Sequence, residues 1–431
     1  MESLIEIISE EEFLPLIQHA SEDLLIFCNY INTHSEFSKK LYVNIIKEST
    51  ELEDFLDEYG AINNKSWIYF RELVACIRNF SSVAYMLSHL LRRFKLYRLT
   101  KSDYTNFLKD AQKALAFFNQ SLKDLFQHLQ KEAIKRSLKL PPNKPREEAF
   151  EDVHPTRLLP HNVDEEGEQD VERNIAKVVT KYLNTVTQFF EIDAFEKISF
   201  DKLVSYIPEK INEEILRRLE SAIHNTQSMY DTYIHKTQTE TRDERLPTFR
   251  GYISVSLHLL EIGRTLSHFY ERHQMELRHE KTRRKLEKIV SKEDVLKYLF
   301  NFSLFYCAQF MREGKQLAEV IIKEYTEIDT IELNVPEGLG FHLRPSTLIA
   351  KIVSHYGTEV KMIVNGREFD ASSPLDLMWA GGMIKREGIK KIIFKGDKRV
   401  LQDLKLLASV NYGEDIMGRS IPLPKELSYL K

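Results

Sequence analysis

The chain has 431 residues, enough for about two or three domains, and its 42% hydrophobic and 29% charged residues are the balance of a folded globular protein. A net charge of −4 gives no electrostatic reason to expect nucleic acid, and three scattered cysteines, Cys28, Cys76 and Cys307, suit neither a disulfide framework nor a zinc site. No run approaches ~20 apolar residues, and Met1-Glu2-Ser3-Leu4-Ile5-Glu6 lacks the basic region and apolar stretch of a signal peptide, so the expectation is a cytoplasmic protein without a membrane span.

Residues 1–140 read as a first helical half. Leu73, Ile77, Phe80, Ala84, Leu87 and Leu91 form one apolar stripe, and Leu115, Phe118, Leu122, Leu125 and Phe126 form another, each on one face of a helix. Gly60, Asn63 and Asn64 mark a loop. Residues 141–170 hold five prolines and many acidic residues, which predicts an acidic linker, extended or disordered in part. Within it, His154-Pro155-Thr156-Arg157-Leu158-Leu159-Pro160 reads as a surface connection rather than a docking ligand.

Residues 171–328 read as a second helical half that repeats the first. Phe70-Arg71 recurs as Phe249-Arg250, Leu87-Ser88-His89 as Leu266-Ser267-His268, and Arg93 as Arg272, all at one offset. Lys101-Ser102-Asp103 resembles Lys292-Glu293-Asp294 after an insertion. The repeated histidines, His89 and His268, are expected as satisfied core groups, although repetition also invites a second phosphoacceptor reading. His258-x-x-Glu261 is the nearest approach to a di-iron pattern, but its counterparts are Asn79 and Ser82, so no metal is expected. The basic run from Arg278 to Lys288 is interleaved with Glu280 and Glu287 and reads as a solvated helix face.

From Thr330 the period changes. Ile331, Leu333 and Val335 alternate with polar residues as a strand. Leu348, Ile349, Ile352, Val353 and Tyr356 stripe a helix. Val360, Met362 and Val364 make a second strand, Asn365-Gly366 a hairpin turn, and Arg367 to Asp370 a third strand. Ser373 caps a helix with Pro374 at its first position and Asp376 in its first turn. Lys390 to Lys395 is a fourth strand, and Val400, Leu404, Leu407 and Ala408 stripe a last helix. The order βαββαβα predicts a four-stranded antiparallel sheet with helices on one face, an α+β open-faced sandwich, over residues 329–413. Residues 414–431 are expected as a C-terminal tail on the surface or on the helices.

The chemistry concentrates in Gly340-Phe341-His342-Leu343-Arg344-Pro345-Ser346. Gly340 suits an unusual backbone turn, and Pro345 falls in the first helical turn, where a missing N–H costs nothing. His342 stands at the helix mouth, where unpaired N–H groups and the positive end of the macrodipole suit an anion. An imidazole there can take a phosphoryl group, with the backbone N–H groups of Leu343 and Arg344 turned towards it and the Arg344 guanidinium as a charge-assisted donor.

These residues resemble HPr, the histidine phosphocarrier of the bacterial phosphotransferase system, whose active site reads Gly-Leu-His-x-Arg-Pro. The resemblance covers about Ile331 to Asn411 and includes the Asn365-Gly366 turn, Ser373 at the position of a regulatory phosphoserine, and Met378-Trp379-Ala380-Gly381 at a helix end. It implies an HPr-like domain with His342 as phosphoryl acceptor and Arg344 beside it. It also implies an enzyme I type donor fed by phosphoenolpyruvate, an HPr kinase for Ser373, a protein acceptor not identified by sequence, and no cofactor. Gly338-Leu339 also matches the family's Gly-Leu, so Gly340-Phe341 reads as a two-residue insertion. Pro374 stands where the family has an apolar partner contact, which Leu375 can supply instead. The alternative is a helical scaffold or interaction protein whose HPr-like module only binds partners. The short connection Tyr325 to Thr330 has no Pro or Gly, so the small domain is expected to sit fixed against helices, with His342 at one edge of that contact.

Overall fold

The computed structural model describes residues 7–34, 37–99, 104–142, 171–192, 203, 206–207, 210–275 and 279–430. The linker expected over 141–170 lies outside them beyond residue 142, as do Lys101-Ser102-Asp103 and Arg278. The described chain is mostly helical with a small antiparallel sheet near its end. No helix among the described residues is long and apolar enough to cross a membrane.

In chain order the helices are α1 Glu10–Leu25, α2 Phe27–Thr33, α3 Lys39–Glu58, α4 Ile68–Arg93, α5 Thr105–Lys135, α6 Val171–Phe190, α7 Glu213–Tyr233, α8 Gln238–Arg242 and α9 Arg245–Phe269. A π-helical segment, Tyr270–Met275, continues α9. There follow α10 Glu280–Glu287, α11 Lys292–Tyr298, a second π segment Leu299–Leu304, and α12 Phe305–Tyr325. The last part is β1 Ile328–Asn334, α13 Leu343–Tyr356, β2 Val360–Val364, β3 Arg367–Asp370, α14 Pro374–Glu387, β4 Lys391–Asp397 and α15 Lys398–Ser409.

The chain groups into two compact units, one within Met1–Val163, Phe189–Ser221 and Ser254–Met311, the other within Asp164–Gln188, Ala222–Ile253 and Arg312–Lys431. In the first unit α4 is the central helix, running between α3 and α5. It is buried on nearly every side, Arg71, Glu72 and Asn79 included, as expected of a core helix rather than a surface one. The Phe80 ring meets Phe118 edge-on at 5.2 Å and lies tilted against Phe269 at 4.9 Å. Arg71 reaches Asp57 through two hydrogen bonds of 2.8 and 2.6 Å.

The second unit holds the sheet. Its strand order is β1-β4-β2-β3, all antiparallel. Asn365 and Gly366 both take left-handed φ, 48° and 78°, the paired positive values that a two-residue hairpin needs. Alternation puts Val360, Met362 and Val364 of β2 on one face with Ile392 and Phe394 of β4. There they form a core with Ile349 of α13, Leu377 of α14 and Leu404 of α15. Leu427 and Leu430 enter the same core. The tail is therefore part of the α+β unit and not a surface appendage.

Helical residues of this unit hold the sheet part in place. Arg173 of α6 lies 2.9 Å from the His355 ring nitrogen at the end of α13, and Lys177 Nζ donates to the His355 carbonyl. Arg399 Nη2 donates to the carbonyl of Tyr325 at the end of α12. A contact between the sheet part and helices of this unit, as expected from the short connection, is present. It uses the C-terminal end of α13, however, so His342 at the other end is not at its edge.

Helix α14 approaches the loop before His342 so closely that a Cβ on Gly381 would meet the Phe341 carbonyl oxygen at 2.5 Å and the Phe341 Cβ at 2.9 Å. At the next residue, Gly382, a Cβ would meet nothing within 4 Å. Gly381→Ala should lower stability by about 1–2 kcal/mol, overpacking outweighing better helix propensity. Gly382→Ala should raise it by up to ~1 kcal/mol. Urea unfolding of the two variants checks the pair; equal effects would remove the claimed close approach.

Candidate functional site

The sequence motif folds into a helix start. Gly340 has φ of 69° and its carbonyl accepts from the His342 N–H at 2.9 Å, closing a tight turn. His342 is the N-cap of α13, with extended backbone and no side-chain capping bond. Its carbonyl accepts from Ser346 N–H. Pro345 has no N–H, and among the described hydrogen bonds the N–H groups of Leu343 and Arg344 reach no protein acceptor. The mouth of α13 thus presents two open donors at the positive end of the helix.

The imidazole is not free. His342 Nε2 lies 2.7 Å from Oε2 of Glu414, a carboxylate only 5% exposed. A carboxylate accepts, so Nε2 carries a hydrogen, and in the neutral ring Nδ1 then keeps the lone pair. Arg344 Nε stands 3.6 Å from Glu414 Oε1, an ion pair looser than a hydrogen bond, and that oxygen is buried with no hydrogen-bond partner.

Glu414 is placed by an unusual piece of backbone. Asn411, Tyr412 and Gly413 all have left-handed φ, 43°, 56° and 82°. For Tyr412 that conformation is strained, and its burial holds it there. The Tyr412 hydroxyl donates to the carbonyl of Asn334 at the end of β1, 2.8 Å, and its ring meets Phe341 edge-on at 5.4 Å. Burial raises the Tyr412 phenol above its ordinary value. The loop before His342 and the loop carrying Glu414 are pinned by this aromatic pair.

His342, Leu343 and Arg344 line one groove of about 540 Å³ with Lys351, and Gly413, Glu414 and Ile421 belong to its lining as well. Ser373 does not line it. The Ser373 hydroxyl accepts from the Asp376 N–H at 3.2 Å as the N-cap of α14, with Pro374 at its start. Leu343, Leu375, Met378 and Trp379 are exposed on the first turns of α13 and α14.

The repeated residues fare unequally. The guanidinium of Arg250 forms a two-point pair with Asp231, 2.6 and 3.0 Å, as Arg71 does with Asp57. The histidines differ. His89 packs edge-on against the His258 ring at 4.6 Å, and burial, with the charge of His258 and Arg93, pushes it down to about 4. His268 Nδ1 lies 2.8 Å from Glu213, and burial lowers its pKa in spite of that carboxylate. His258 is paired with Glu261 at 2.8 Å. Glu414 was absent from the sequence reading. It lies 72 residues from His342, and only the Asn-x-Gly after α15 hints at a turn that could bring it back.

No family model matches the chain, no curated protein matches it, and no solved structure matches it.

The carboxylate dictates the tautomer. In the intact protein at about pH 8, where a free imidazole is neutral, long-range proton–nitrogen NMR should show His342 with its hydrogen on Nε2. In Glu414→Ala the preference should fall to a mixture of tautomers. The same nitrogen shifts in both proteins would sink the assignment.

Proposed function

We propose that residues 329–413, completed by the tail, form an HPr-like phosphocarrier that accepts a phosphoryl group on His342. The observation that carries this reading is the His342–Glu414 contact at a helix mouth, because it leaves Nδ1 as a nucleophile beside open N–H donors. In the transfer the Nδ1 lone pair forms the new bond to phosphorus. The bond between phosphorus and the donor's leaving atom breaks, and that atom keeps the electron pair. The ring gains positive charge as Nδ1 is substituted, and the Nε2–H hydrogen bond to Glu414 strengthens with it. The phosphoryl oxygens take the N–H groups of Leu343 and Arg344 and the positive end of α13. Arg344, held only loosely by Glu414, is free to turn its fork to the same oxygens.

The donor in this reading is an enzyme I type protein fed by phosphoenolpyruvate. The exposed side chains Leu343, Leu375, Met378 and Trp379 offer it an apolar landing surface of the kind that marks protein contacts. Ser373 is a candidate for phosphorylation by an HPr kinase. A phosphate there would sit at the N-terminus of α14 beside Leu375 and repel an acidic partner. The protein that receives the phosphoryl group from His342 is a partner whose chemistry the site does not specify. A second reading, a module that only binds partners and leaves signalling to the helices, is favoured by one observation: Glu414, which lines the groove, already occupies Nε2.

Incubation with phosphoenolpyruvate and an enzyme I type donor separates the two readings. Wild type should acquire acid-labile phosphate and His342→Ala none, with the fold intact by circular dichroism. Undiminished labelling of His342→Ala moves the acceptor elsewhere, and an unlabelled wild type leaves the binding module.

Arg344→Ala removes a charged donor but keeps the backbone donors. Transfer should slow by about one to three kcal/mol of barrier, roughly five- to 150-fold, with Arg344→Lys restoring part of it. Rapid-quench kinetics that find wild-type rates in Arg344→Ala would make that residue a bystander.

A further inference from the structure

The groove at His342 has one wall that the resemblance to HPr does not cover. After Gly413 the chain doubles back. Glu414 bridges Ser420 in the antiparallel sense, and the Asp415 N–H donates to the Arg419 carbonyl at 2.9 Å. The Asp415 carboxylate accepts from the N–H groups of Met417 and Arg419 at 2.9 and 2.8 Å, and the Gly418 N–H donates to the Asp415 carbonyl. Residues 415–419 are thus a tight turn closed by its own hydrogen bonds, of the kind an Asp side chain starts. Gly418 and Ser420 line the groove together with His342, Arg344 and Lys351.

The turn is held against the loop that precedes His342. A Cβ on Gly338 would collide with the Ile416 carbonyl oxygen, and a Cβ on Gly418 would meet the Leu339 side chain at 2.9 Å. What the turn presents outward is apolar. Ile416 and Met417 at its tip are 67% and 75% exposed, and Leu339 and Leu343 are exposed as well. One exposed apolar side chain is ordinary. Four of them around one groove form a patch of the kind that marks protein contacts. The charges at the rim balance in number, Arg344, Lys351 and Arg419 against Glu337, Glu414 and Asp415. They are not equally available. The three cationic side chains and Glu337 are exposed, whereas Glu414 is buried on His342 and Asp415 is committed to the N–H groups of the turn. Lys351 donates to the Leu430 carbonyl and makes no ion pair among the described residues, nor does Arg419.

We infer that the turn 415–419 is a docking knob for the protein that phosphorylates His342. Its tip, Ile416 and Met417, enters an apolar recess on that donor, and carboxylates at the border of the recess face Lys351 and Arg419. The position of the turn names the occupant. A protein that brings phosphorus to Nδ1 has to enter this groove, and one wall of the groove is the turn. A lipid surface fits less well, because membrane-surface elements carry a broad apolar face beside an excess of Lys and Arg, and here two apolar side chains stand at a rim of balanced charge. The inference rests on the reading of His342 as acceptor and adds to it what selects the donor. Residues after Gly413, outside the stretch that resembles HPr, decide which protein can reach the ring.

The test sets two phosphoryl donors against the full chain, as wild type and as the double variant Ile416→Ser, Met417→Ser. Both side chains are exposed, so the variant should keep the wild-type unfolding temperature. Phosphoramidate gives its phosphoryl group to an imidazole with loss of ammonia and needs no docking surface. It should label His342 of both proteins at the same rate. With a phosphorylated enzyme I type donor, the Ser variant should show a KM raised about tenfold or more at unchanged kcat. Ile416→Leu with Met417→Leu should stay near wild type. Equal KM for wild type and the Ser variant overturns the inference and leaves the reading of His342 standing. So does a wild type labelled by phosphoramidate but not by the protein donor. Loss of phosphoramidate labelling in the Ser variant makes the turn part of the chemistry and overturns docking as its role. A wild type that neither donor labels on His342 ends the acceptor reading, and the inference with it. Binding to phosphatidylserine vesicles, or a dimer by light scattering, that only the Ser variant loses gives the tip a different occupant and overturns the inference as well.

Discussion

The contact between His342 and Glu414 is the constraint on which the site at the mouth of α13 depends. A carboxylate 5% exposed is costly to bury unless it is paired and hydrogen-bonded. Glu414 has one close partner, His342 Nε2, and one loose one, Arg344. The dependence is mutual. Without His342 the carboxylate would be nearly unpaired, and without Glu414 neither the tautomer nor the ring orientation would be fixed. What sets the geometry lies further back. Tyr412 is tied to the last carbonyl of β1 and to the ring of Phe341, and Gly381 lets α14 come up against that same phenylalanine. The sheet thus positions the two loops, and the two loops position one ring nitrogen.

What could be read in the sequence was local. Gly340, the helix starting at Leu343, Pro345 in its first turn, the Asn365-Gly366 hairpin and Ser373 as a cap each follow from short-range backbone preferences, and the structure has each where the residues indicate. The strands followed from alternation, apart from small shifts at their ends. What could not be read is long-range. Glu414 is an ordinary acidic residue in a segment without periodicity, and Leu427 and Leu430 are two apolar residues in what reads as a tail. The same holds in the first unit, where His273 and Glu72 are 201 residues apart and neither belongs to a motif. The repeat drew attention to His89 and His268 through likeness of sequence. Their surroundings are unlike, one against another imidazole and the other on a carboxylate.

Helix α13 has 14 residues, so its ends are about 20 Å apart. His342 stands at one end and the contact with Arg173 and Lys177 at the other. A charge added at His342 is then more than two screening lengths of roughly 8 Å from those cations, and its direct field across the surface is weak. The tail offers a different route. It begins with Glu414 on the His342 ring. At its far end Tyr429 stacks on His355 at 3.9 Å, and Arg173 meets that same His355. The Leu430 carbonyl accepts from Lys351 Nζ, midway along α13. Anything that displaces Glu414 from His342 therefore acts on a segment whose other end is part of the contact with the helices. A dianionic group on Nδ1 would bear on that same contact over a few ångströms and in a partly buried place, where electrostatic forces are least screened, its repulsion of the carboxylate opposing the stronger hydrogen bond from the charged ring. Communication between the site and the helices then rests on packed side chains of one short segment, and its strength on how tightly Leu427 and Leu430 anchor that segment in the core.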